Sequence, residues 1–550
     1  MKEPRGLGAE PAATGFGEPG RADPDGVFVG LDLGTSGLKA IALRPSGDVV
    51  AKASTGYPTS RPCPSAAEQE PGHWIMAIER AAALLAAEAP AARWRAIGLS
   101  AMIPTLVTAD SSGEAVGPAI TWEDGRAQGQ AGRLIAGFAG SAGGPGDEAL
   151  YEITGQRIDG RYLLPMFLRL IEEDPVRAEE TAIVLGAKDY LFGWLTGTVA
   201  TDPSTATGFG CFTLQAGEWH QAILAAAAAA ARASQASQAN RHHPIPVLPP
   251  VLPATTTRPL RPDLAARMGC DRIPVCLGAA DSVLGALGLG ARSPGQIAYL
   301  AGTSTVILGV AGNPMLDPQR RFLVTPLAEP GRWGLEMDLL ATGSALRWIA
   351  ELLGGGLDEA GVIALAAQVN PADAPVVLPY LSPGEQGALW DPDLPATITG
   401  LTLSHDRRHL ARGLVNGIIM ESRRCLAVLD QTAAFRADLL VAGGGAQSAS
   451  FRADLASATG RRVIMPAGDE ADFSARGAAT LAAQSAGQLR ALGGAHAGRP
   501  IPGQVSEPDS SRAEMWRELW SAHERASLTL RSASGSSRSP AESTGASTSK

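Results

Sequence analysis

A turn near the start of the chain carries the residue types that bind a phosphate group and a metal ion. Residues 32–43 read Asp-Leu-Gly-Thr-Ser-Gly-Leu-Lys-Ala-Ile-Ala-Leu. Turn glycines let the backbone approach a ligand closely, and the exposed amides of such a turn form a concavity for phosphate oxygens. Thr35 and Ser36 add hydroxyl donors, Lys39 adds a cation, and Asp32 can hold a magnesium ion directly or through water. The alternative is a β-hairpin whose turn simply requires glycine and serine.

A second turn of the same kind lies in the other half of the chain. Residues 296–309 contain a Gly-Thr-Ser triplet at 302–304, again between two apolar runs. When the two triplets are aligned, Leu300 falls opposite Asp32, so the turn is repeated but the acid is not. Two similar folding units require both turns, whereas a metal ion requires its carboxylate on one side only. A chance match of three small residues is the alternative.

A candidate general base follows a predicted buried strand. Residues 278–290 read Gly-Ala-Ala-Asp-Ser-Val-Leu-Gly-Ala-Leu-Gly-Leu-Gly, which indicates a strand that ends in an acid and continues as a small-residue helix. Asp281 either caps this helix or, at the end of a strand that faces a cleft, acts as a general base. Ser282 can supply the cap and free the carboxylate, so we favour the base.

A third glycine-rich turn can lie against a nucleotide. Residues 438–465 predict a strand, a turn with Gly443, Gly444 and Gly445, a helix and a second strand. Consecutive glycines let a flat ring or an α-phosphate lie against bare backbone. The segment lacks both the G-x-x-x-x-G-K-[ST] phosphate loop and the G-x-G-x-x-G dinucleotide pattern.

A Trp-x-Asp-x-Arg segment can contact a sugar. Residues 119–126 read Ala-Ile-Thr-Trp-Glu-Asp-Gly-Arg. Trp122 can stack on the C–H face of a sugar, while Asp124 and Arg126 can bond to hydroxyls or to each other. The alternative is a core tryptophan beside a surface ion pair.

The elements that must position these residues alternate between strand and helix. Residues 72–89 predict a helix and residues 94–100 a strand, and the alternation continues to about residue 490. This pattern indicates an α/β fold. Prolines in 244–263 exclude a continuous helix or a central strand, so we place a domain boundary just after them, near Arg272. Two halves with matching turns predict a duplicated fold with a cleft between them.

Composition excludes several classes of protein. The 550 residues suffice for two or more cores, and no apolar run approaches the roughly 20 residues of a membrane span. The net charge of −9 argues against broad nucleic-acid binding. Five cysteines without a C-x-x-C pair favour reduced thiols in a cytoplasmic protein. Residues 1–25 and 531–550 are rich in small and polar residues and are predicted to be disordered.

The combined order of the motifs resembles the FGGY carbohydrate kinases, and within them the xylulokinase-like branch. The resemblance spans roughly residues 27–490. The matching segments are Asp-Leu-Gly-Thr-Ser-Gly at 32–37, Trp-x-Asp-x-Arg at 122–126, Gly-Ala-Ala-Asp at 278–281, Gly-Thr-Ser at 302–304, Leu-Pro-Tyr-Leu at 378–381, Gly-Leu-Thr-Leu-Ser-His at 400–405 and Gly-Gly-Gly-Ala at 443–446.

The resemblance implies an α/β fold of two ribonuclease-H-like (actin-like ATPase) domains, over 26–272 and 273–495, with ATP, Mg²⁺ and a sugar in the interdomain cleft. It implies that Asp281 takes a proton from the sugar hydroxyl and that Asp32 positions Mg²⁺. The residues implied to bind ATP are Gly34, Thr35, Ser36, Lys39, Gly302, Thr303, Ser304, Gly443, Gly444, Gly445, Ala446 and Gln447. Those implied on the sugar side are Ile103, Pro104, Trp122, Asp124, Arg126 and Asp281.

One departure bears on the substrate. Xylulokinases commonly carry Gln-Met-His after the strand that ends near Ser100, whereas this chain has Pro104 where that histidine would fall. The segments Ser-Ala-Met at 100–102 and Ile-Thr-Trp at 120–122 resemble gluconate kinases of the same superfamily. The main hypothesis is phosphorylation of D-xylulose to D-xylulose 5-phosphate, and gluconate or another sugar or polyol is the alternative. A non-catalytic actin-like ATP-binding regulator is the alternative of another class. The expected partners are a sugar and ATP, without nucleic acid or membrane, and a homodimer is left open.

Overall fold

The computed structural model describes residues 25–142, 146–235, 245–382, 387–391, 393–433, 435, 437–466, 472–487 and 503–533. The predicted disordered ends lie outside this part of the chain, apart from Asp25 and residues 531–533. Those last three residues are the end of a helix, so the predicted tail is corrected there. Within the described ranges, no helix combines the length and the apolar character needed to cross a membrane.

Short strands recur along the chain, as the alternating pattern predicts. The strands of the first half are β1 (Val27–Leu33), β2 (Gly37–Leu43), β3 (Val49–Gly56), β4 (Glu68–Gln69), β5 (Trp94–Ala101), β6 (Val107–Ala109), β7 (Ala119–Ile120), β8 (Ile183–Leu185), β9 (Thr257–Pro259) and β10 (Pro274–Ala280). Those of the second half are β11 (Ile297–Ala301), β12 (Thr305–Ala311), β13 (Leu323–Pro326), β14 (Trp333–Leu339), β15 (Val376–Leu378), β16 (Thr397–Thr399), β17 (Leu439–Ala442), β18 (Val463–Pro466) and β19 (Gly503–Ser506).

Helices separate most of these strands. In the first half they are α1 (Pro71–Glu88), α2 (Gln128–Ala142), α3 (Gly146–Thr154), α4 (Leu163–Glu173), α5 (Pro175–Glu180), α6 (Ala187–Thr196), α7 (Pro203–Thr207), α8 (Gln221–Gln235), α9 (Pro262–Met268) and α10 (Asp281–Leu289). In the second half they are α11 (Gly343–Leu353), α12 (Glu359–Ala366), α13 (Arg407–Ala433), α14 (Ala449–Thr459), α15 (Phe473–Ser485) and α16 (Ala513–Ala533). The predicted helix over 72–89 and strand over 94–100 are confirmed as α1 and β5.

The first sheet brings two candidate acids to one edge. Its strand order is β3-β2-β1-β5-β10-β9. β1 and β2 form an antiparallel hairpin in which Asp32 pairs with Lys39, and β1 also runs parallel to β5. β10 runs parallel to β5 on its other side. Because the carboxyl ends of parallel strands meet at the same edge of a sheet, the end of β1 with Asp32 and the end of β10 before Asp281 lie at one edge.

The expected division of the chain near Arg272 does not coincide with the change of sheet. β10 pairs with β5 and with β9, so the strand that was expected to open the second half belongs to the first sheet. The proline-rich segment 244–263 contains neither a continuous helix nor a central strand, as predicted, but it includes β9, an edge strand of the first sheet. A loop marked by prolines shows where an element ends, and it does not show which sheet the next strand joins.

The second sheet repeats the hairpin of the first. Its strand order is β13-β14-β12-β11-β17-β18-β19. β11 and β12 form the antiparallel hairpin predicted around residues 302–304, and β11 runs parallel to β17 with Leu300 beside Ala442. The turn at 302–304 and the glycine-rich turn after Ala442 therefore lie next to each other at one edge. The repeated strand–turn–strand pattern is confirmed.

Helix α15 returns from the second half of the chain to pack on the first sheet. A Cβ atom added at Gly30 would lie 1.9 Å from the carbonyl oxygen of Ala475, so glycine is required for this close approach of β1 to α15. The helix also packs closely against α10. The two halves of the chain are therefore connected by the packing of α15 on the first sheet and on α10, and not only by the chain between the two sheets.

The chain beyond residue 495 completes the second half. β19 pairs antiparallel with β18, and Trp516 of α16 belongs to the apolar core that contains β11 and β14. The predicted second domain ended at residue 495, although Met515, Trp516, Leu519 and Trp520 recur at the spacing of an apolar helix face.

Candidate active site

A cavity of about 280 Å³ lies between the two sheets and is lined from both halves of the chain. Several residues that the sequence singled out meet there: Thr35, Ile103, Pro104, Trp122, Asp281, Gly302, Thr303 and Ser304. The hairpin turns of β1–β2 and β11–β12 thus approach one cleft from opposite sides. This placement agrees with the predicted interdomain cleft.

Asp281 is the first residue of α10 and does not cap that helix. The N-cap is Ala280, no side chain provides a cap hydrogen bond, and Oδ1 of Asp281 accepts a 2.9 Å hydrogen bond from the Ser282 amide. The expectation that Ser282 supplies the cap is therefore wrong. Burial, and to a smaller extent the negative charges of Asp32 and Glu336, together raise the pKa of Asp281 to about 8. A carboxyl group with this pKa lines the cleft and can exchange a proton near neutral pH.

Asp32 is the next-to-last residue of the buried strand β1 and is held by the neighbouring strand β5. The hydroxyl of Ser100 donates a 2.7 Å hydrogen bond to its Oδ1. Burial raises the pKa of Asp32, while the Ser100 hydrogen bond and the charge of Lys39 oppose that rise. Within the described ranges, no group of three or more His, Cys, Asp or Glu side chains could hold a metal ion. Mg²⁺ is commonly held by one or two carboxylates together with water and phosphate oxygens, so the single carboxylate of Asp32 suits that ion.

The first Gly-Thr-Ser turn is fixed by side chains from other elements. Tyr57 donates a hydrogen bond to the carbonyl of Gly34, and Gln69 donates one of 2.7 Å to the carbonyl of Thr35. The indole of Trp122 donates a 3.0 Å hydrogen bond to the Thr35 hydroxyl. Ser36 is exposed at the tip of the turn. Thr35 is thus the member of this turn that reaches the cleft.

Lys39 does not reach the cleft. Its Nζ lies 3.8 Å from Oδ1 of Asp472, just before α15, and Lys52 lies 3.6 Å from the other oxygen of the same carboxylate. In this structure Lys39 thus forms an ion pair between β2 and the start of α15, and its expected phosphate contact stays a prediction. In a strand, side chains alternate between faces, and residue 39 points to the α15 side.

A second cavity of about 380 Å³ adjoins the cleft in the second half of the chain. Gly302 and Thr303 line both cavities, and Gly444, Gly445 and Gln447 of the predicted glycine-rich turn line the second one. Gly443 lies behind this turn with φ of 96°, against the backbone of Ala301. Ala446 is buried and also stands back from the cavity. Three of the five residues predicted in this turn thus reach the cavity.

Trp122 lines the cleft, whereas Asp124 and Arg126 do not. Asp124 is buried, and its Oδ2 accepts a 2.9 Å hydrogen bond from the Ala67 amide. The guanidinium of Arg126 lies 2.5 Å from Asp124 and 2.5 Å from Glu68. These groups satisfy one another, so the expected contact of Asp124 and Arg126 with the sugar is corrected to an internal ion pair. Strand β7 ends at Ile120, so Trp122, Asp124 and Arg126 do not lie on one face of a strand.

Two acids that sequence reasoning missed face the cleft from β14. Glu336 and Asp338 are two residues apart, so they lie on the same face of the strand, and both line the cavity. Oε2 of Glu336 accepts a 3.1 Å hydrogen bond from the hydroxyl of Thr325. Burial raises the pKa of both carboxyl groups. The Glu-Met-Asp pattern within an apolar strand was a signal that could have revealed them.

The other residues that were missed come from segments without a recognisable motif. In the cleft these include Gln156, Arg161, Tyr162, Thr207 and Trp390. The guanidinium of Arg161 pairs with Asp159 at 2.6 Å. Gln156 donates a 2.9 Å hydrogen bond to the carbonyl of Val324, which links the first half of the chain to β13. The second cavity is further lined by Thr342, Gly343, Arg347, Asp358 and Glu359.

Comparisons with known proteins agree with this geometry. The sequence model of the N-terminal domain of the FGGY family of carbohydrate kinases matches residues 27–288, and that of the C-terminal domain matches residues 297–486. The chain is 29% identical over 476 residues to a gluconokinase from Bacillus licheniformis, across 84% of this chain and 88% of that protein. It is 29% identical over 467 residues to the xylulose kinase of Escherichia coli K12, across 85% of this chain and 91% of that protein.

The crystal structure of xylulose kinase from Rhodospirillum rubrum has the same architecture. It is 29% identical in sequence, with a TM-score of 0.77 over 92% of this chain and 100% of that chain. The predicted two-domain, actin-like ATPase fold is thereby confirmed. Because the two family models together span most of the chain, the chain belongs to the FGGY family of carbohydrate kinases.

Proposed function

We propose that the chain transfers the γ-phosphoryl group of ATP to a hydroxyl of D-xylulose, with Asp281 as the general base. One observation carries this proposal. Gly302 and Thr303 form the wall shared by two cavities, with Asp281 on the first and the Gly444–Gly445 turn on the second. Phosphoryl transfer requires an acceptor and a nucleotide on opposite sides of the transferred group, and two cavities that meet at one turn support that arrangement.

The proposed step assigns each group a role. Asp281 accepts the proton of the sugar hydroxyl. The hydroxyl oxygen forms a bond to the γ-phosphorus while the bond from that phosphorus to the bridging oxygen breaks, and ADP leaves. A pKa near 8 suits this role, because an efficient base has a pKa near the working pH. Thr35 and Thr303 are placed to donate hydrogen bonds to phosphoryl oxygens. When bound beside Asp32, Mg²⁺ neutralises phosphate charge.

The charges of the cleft support a neutral sugar. Asp281, Glu336 and Asp338 all line it, so hydroxyl groups find several carboxyl partners there. A substrate that carries its own carboxylate would meet the same groups at the cost of electrostatic repulsion whenever they are ionised. The relatives named xylulose kinase include proteins 29% and 30% identical to this chain.

Gluconate is the second candidate substrate. Arg161 lines the same cleft, and a guanidinium is the side chain best suited to bind a carboxylate in a bidentate manner. Relatives named gluconokinase are also 29% identical. Arg161 already pairs with Asp159, so gluconate would have to share it.

A substrate panel with coupled detection of ADP tests the proposal. We expect ADP release that depends on D-xylulose, and a preference for D-xylulose over gluconate, glycerol, ribulose and other polyols. Gluconate as the preferred substrate would replace D-xylulose while leaving the kinase assignment in place. Binding of ATP without turnover on any sugar or polyol would instead favour a non-catalytic regulator.

The variant Asp281→Asn separates chemistry from folding. We expect it to lower sugar-dependent turnover by about 10³-fold or more while the affinity for ATP changes less than about twofold. The pKa of Asp281 is raised from 3.8 in the unfolded chain to about 8 in the folded protein. Its carboxyl group therefore makes the folded protein progressively less stable as the pH rises from 3.8 to about 8, and the full cost remains above that pH. The asparagine variant should therefore melt at the same temperature as the wild type or above it at pH 7.5.

A further inference from the structure

We propose that a buried network of Lys188, Asp202 and Ser204 positions Asp281 for proton transfer. The inference rests on the proposed function, because it concerns the residue assigned there as the base. None of the three side chains lines the cleft. Their influence passes through one backbone amide, that of Ala280.

The network begins at a lysine that has no access to solvent. The side chain of Lys188 is 0% exposed, and its Nζ lies 2.9 Å from Oδ1 of Asp189 and 3.2 Å from Oδ1 of Asp202. Removal of an ammonium group from water costs several kcal/mol unless close partners compensate. The lysine is therefore held in one place by two carboxylates, and each of these carboxylates is held by it.

Asp202 connects Lys188 to the short helix α7. It is the N-cap residue, and its Oδ2 accepts hydrogen bonds of 2.9 Å from the Ser204 amide and 2.5 Å from the Ser204 hydroxyl. Its Oδ1 accepts a 2.6 Å hydrogen bond from the hydroxyl of Thr205. Both oxygens of Asp202 are thus engaged, and the hydroxyl proton of Ser204 is directed at Asp202.

Ser204 connects the network to the base. Because its proton points to Asp202, a lone pair of its oxygen is free to accept a hydrogen bond, and the Ala280 amide donates one of 3.0 Å. Ala280 is the N-cap of α10 and directly precedes Asp281. The position of this peptide sets where β10 stops and in which direction the Asp281 side chain leaves the helix.

The same short helix also builds the sugar side of the cleft. α7 ends at Thr207, and both Thr207 and Gly208 line the cavity, with Gly208 next to Pro104. One network thus fixes the base and a neighbouring wall relative to each other. A displacement of about 1 Å between reacting groups can cost about 100-fold in rate, so this coupling has a kinetic consequence.

The test compares two hydroxyl deletions that differ in one contact. Ser204→Ala removes the acceptor of the Ala280 amide, whereas Thr205→Ala removes a hydroxyl bound to the same Asp202 without touching Ala280. We expect Ser204→Ala to lower kcat by about 10-fold or more, with KM for ATP changed less than twofold. Thr205→Ala should keep kcat within about twofold of wild type at a comparable loss of thermal stability. Equal kcat values for the two variants would overturn the positioning role and leave the proposed function intact.

Amide hydrogen exchange provides a readout that does not depend on turnover. We expect exchange at residues 280–282 to become at least 10-fold faster in Ser204→Ala and to remain unchanged in Thr205→Ala. If Ser204→Ala does not fold, Ser204→Cys replaces it, because the thiol is a weaker hydrogen-bond acceptor than the hydroxyl. Exchange at residues 280–282 should then be faster than in the wild type, and an unchanged rate would contradict the proposal. If the wild type phosphorylates no sugar or polyol, the proposed function fails, and the exchange experiment still decides whether Ser204 holds this segment.

Discussion

Ser100 donates a 2.7 Å hydrogen bond to Oδ1 of Asp32 from the neighbouring parallel strand. This contact opposes the effect of burial, which raises the pKa of Asp32. It therefore favours the ionised carboxylate, which is the form that can bind a metal ion. The charge of Asp32 in turn raises the pKa of Asp281. Asp32 and Asp281 are thus electrostatically linked, and the link can be measured.

The pH dependence of the reaction should report this link. Asp281 accepts a proton only when ionised, so kcat/KM for the sugar should rise with pH and level off above a midpoint near 8. Bound Mg²⁺ would lower this midpoint, because a nearby cation favours the carboxylate. Asp32→Asn removes a negative charge, so its midpoint should move to lower pH even though its rate falls. A profile that is flat between pH 6 and 9, or a midpoint that rises in the variant, would contradict the assignment.

Two adjacent glycines should respond differently to the same substitution. A Cβ at Gly443 would lie 2.1 Å from the carbonyl oxygen of Ala301, and its φ of 96° is strained for alanine. Gly444 has helical φ and ψ, and nothing lies within 4 Å of an added Cβ. We expect Gly443→Ala to lower the free energy of unfolding by about 1–3 kcal/mol.

Gly444→Ala is the matched variant, because its new methyl group points into the open second cavity. It should keep the melting temperature of the wild type and raise KM for ATP by about 3–10-fold, since the methyl group occupies space that the nucleotide requires. Thermal melts and ATP titrations of both variants test the difference. A normal KM for ATP in Gly444→Ala would mean that the nucleotide does not lie on this turn.

The local elements around the site could be predicted from the sequence because their signals are local. The hairpin at Asp32, its repeat at 302–304 and the strand–turn–helix at 438–465 each combine an apolar run with turn glycines, and all three are confirmed. Asp281 was placed at the cleft because it directly follows a predicted strand, whereas Pro104 was placed on the sugar side by the family resemblance. The carboxyl ends of such strands meet at one edge.

What could not be predicted depends on contacts between distant residues. No local pattern shows that β10 joins the first sheet or that α15 packs on β1, since strand pairing is decided by partners hundreds of residues away. The ion pair of Asp124 with Arg126 was one of the two alternatives left open, and the distant carboxylate of Glu68, which also binds Arg126, was not foreseen. Lys39 likewise forms an ion pair with Asp472, which lies far away in the sequence.

The corrected role of Asp124 predicts a loss of stability rather than of sugar affinity. Asp124→Asn removes the carboxylate of Asp124 from Arg126 and leaves the ion pair of Arg126 with Glu68. Breaking a buried ion pair of this kind costs roughly 3 kcal/mol. KM for the sugar should change less than twofold. Trp122→Phe is the contrasting variant, because it removes the 3.0 Å hydrogen bond to Thr35 and alters the cleft wall. Its KM should rise with little change in melting temperature. The reverse pattern would restore Asp124 to the sugar site.

Helix α16 lies beyond the residues matched by the family models, yet it should be an integral part of the second domain. Trp516 is 1% exposed and belongs to the main core of that domain, and His523 lies 2.6 Å from the buried carboxylate of Glu421. Trp516→Ala should therefore lower the free energy of unfolding by about 3–5 kcal/mol. Leu528→Ala on the same helix is the control, because Leu528 is 60% exposed and its truncation should cost less than about 0.5 kcal/mol. Urea unfolding of the two variants measures the difference. Similar stabilities would mean that α16 is only loosely attached, because burial of the indole is the main contribution expected from this helix.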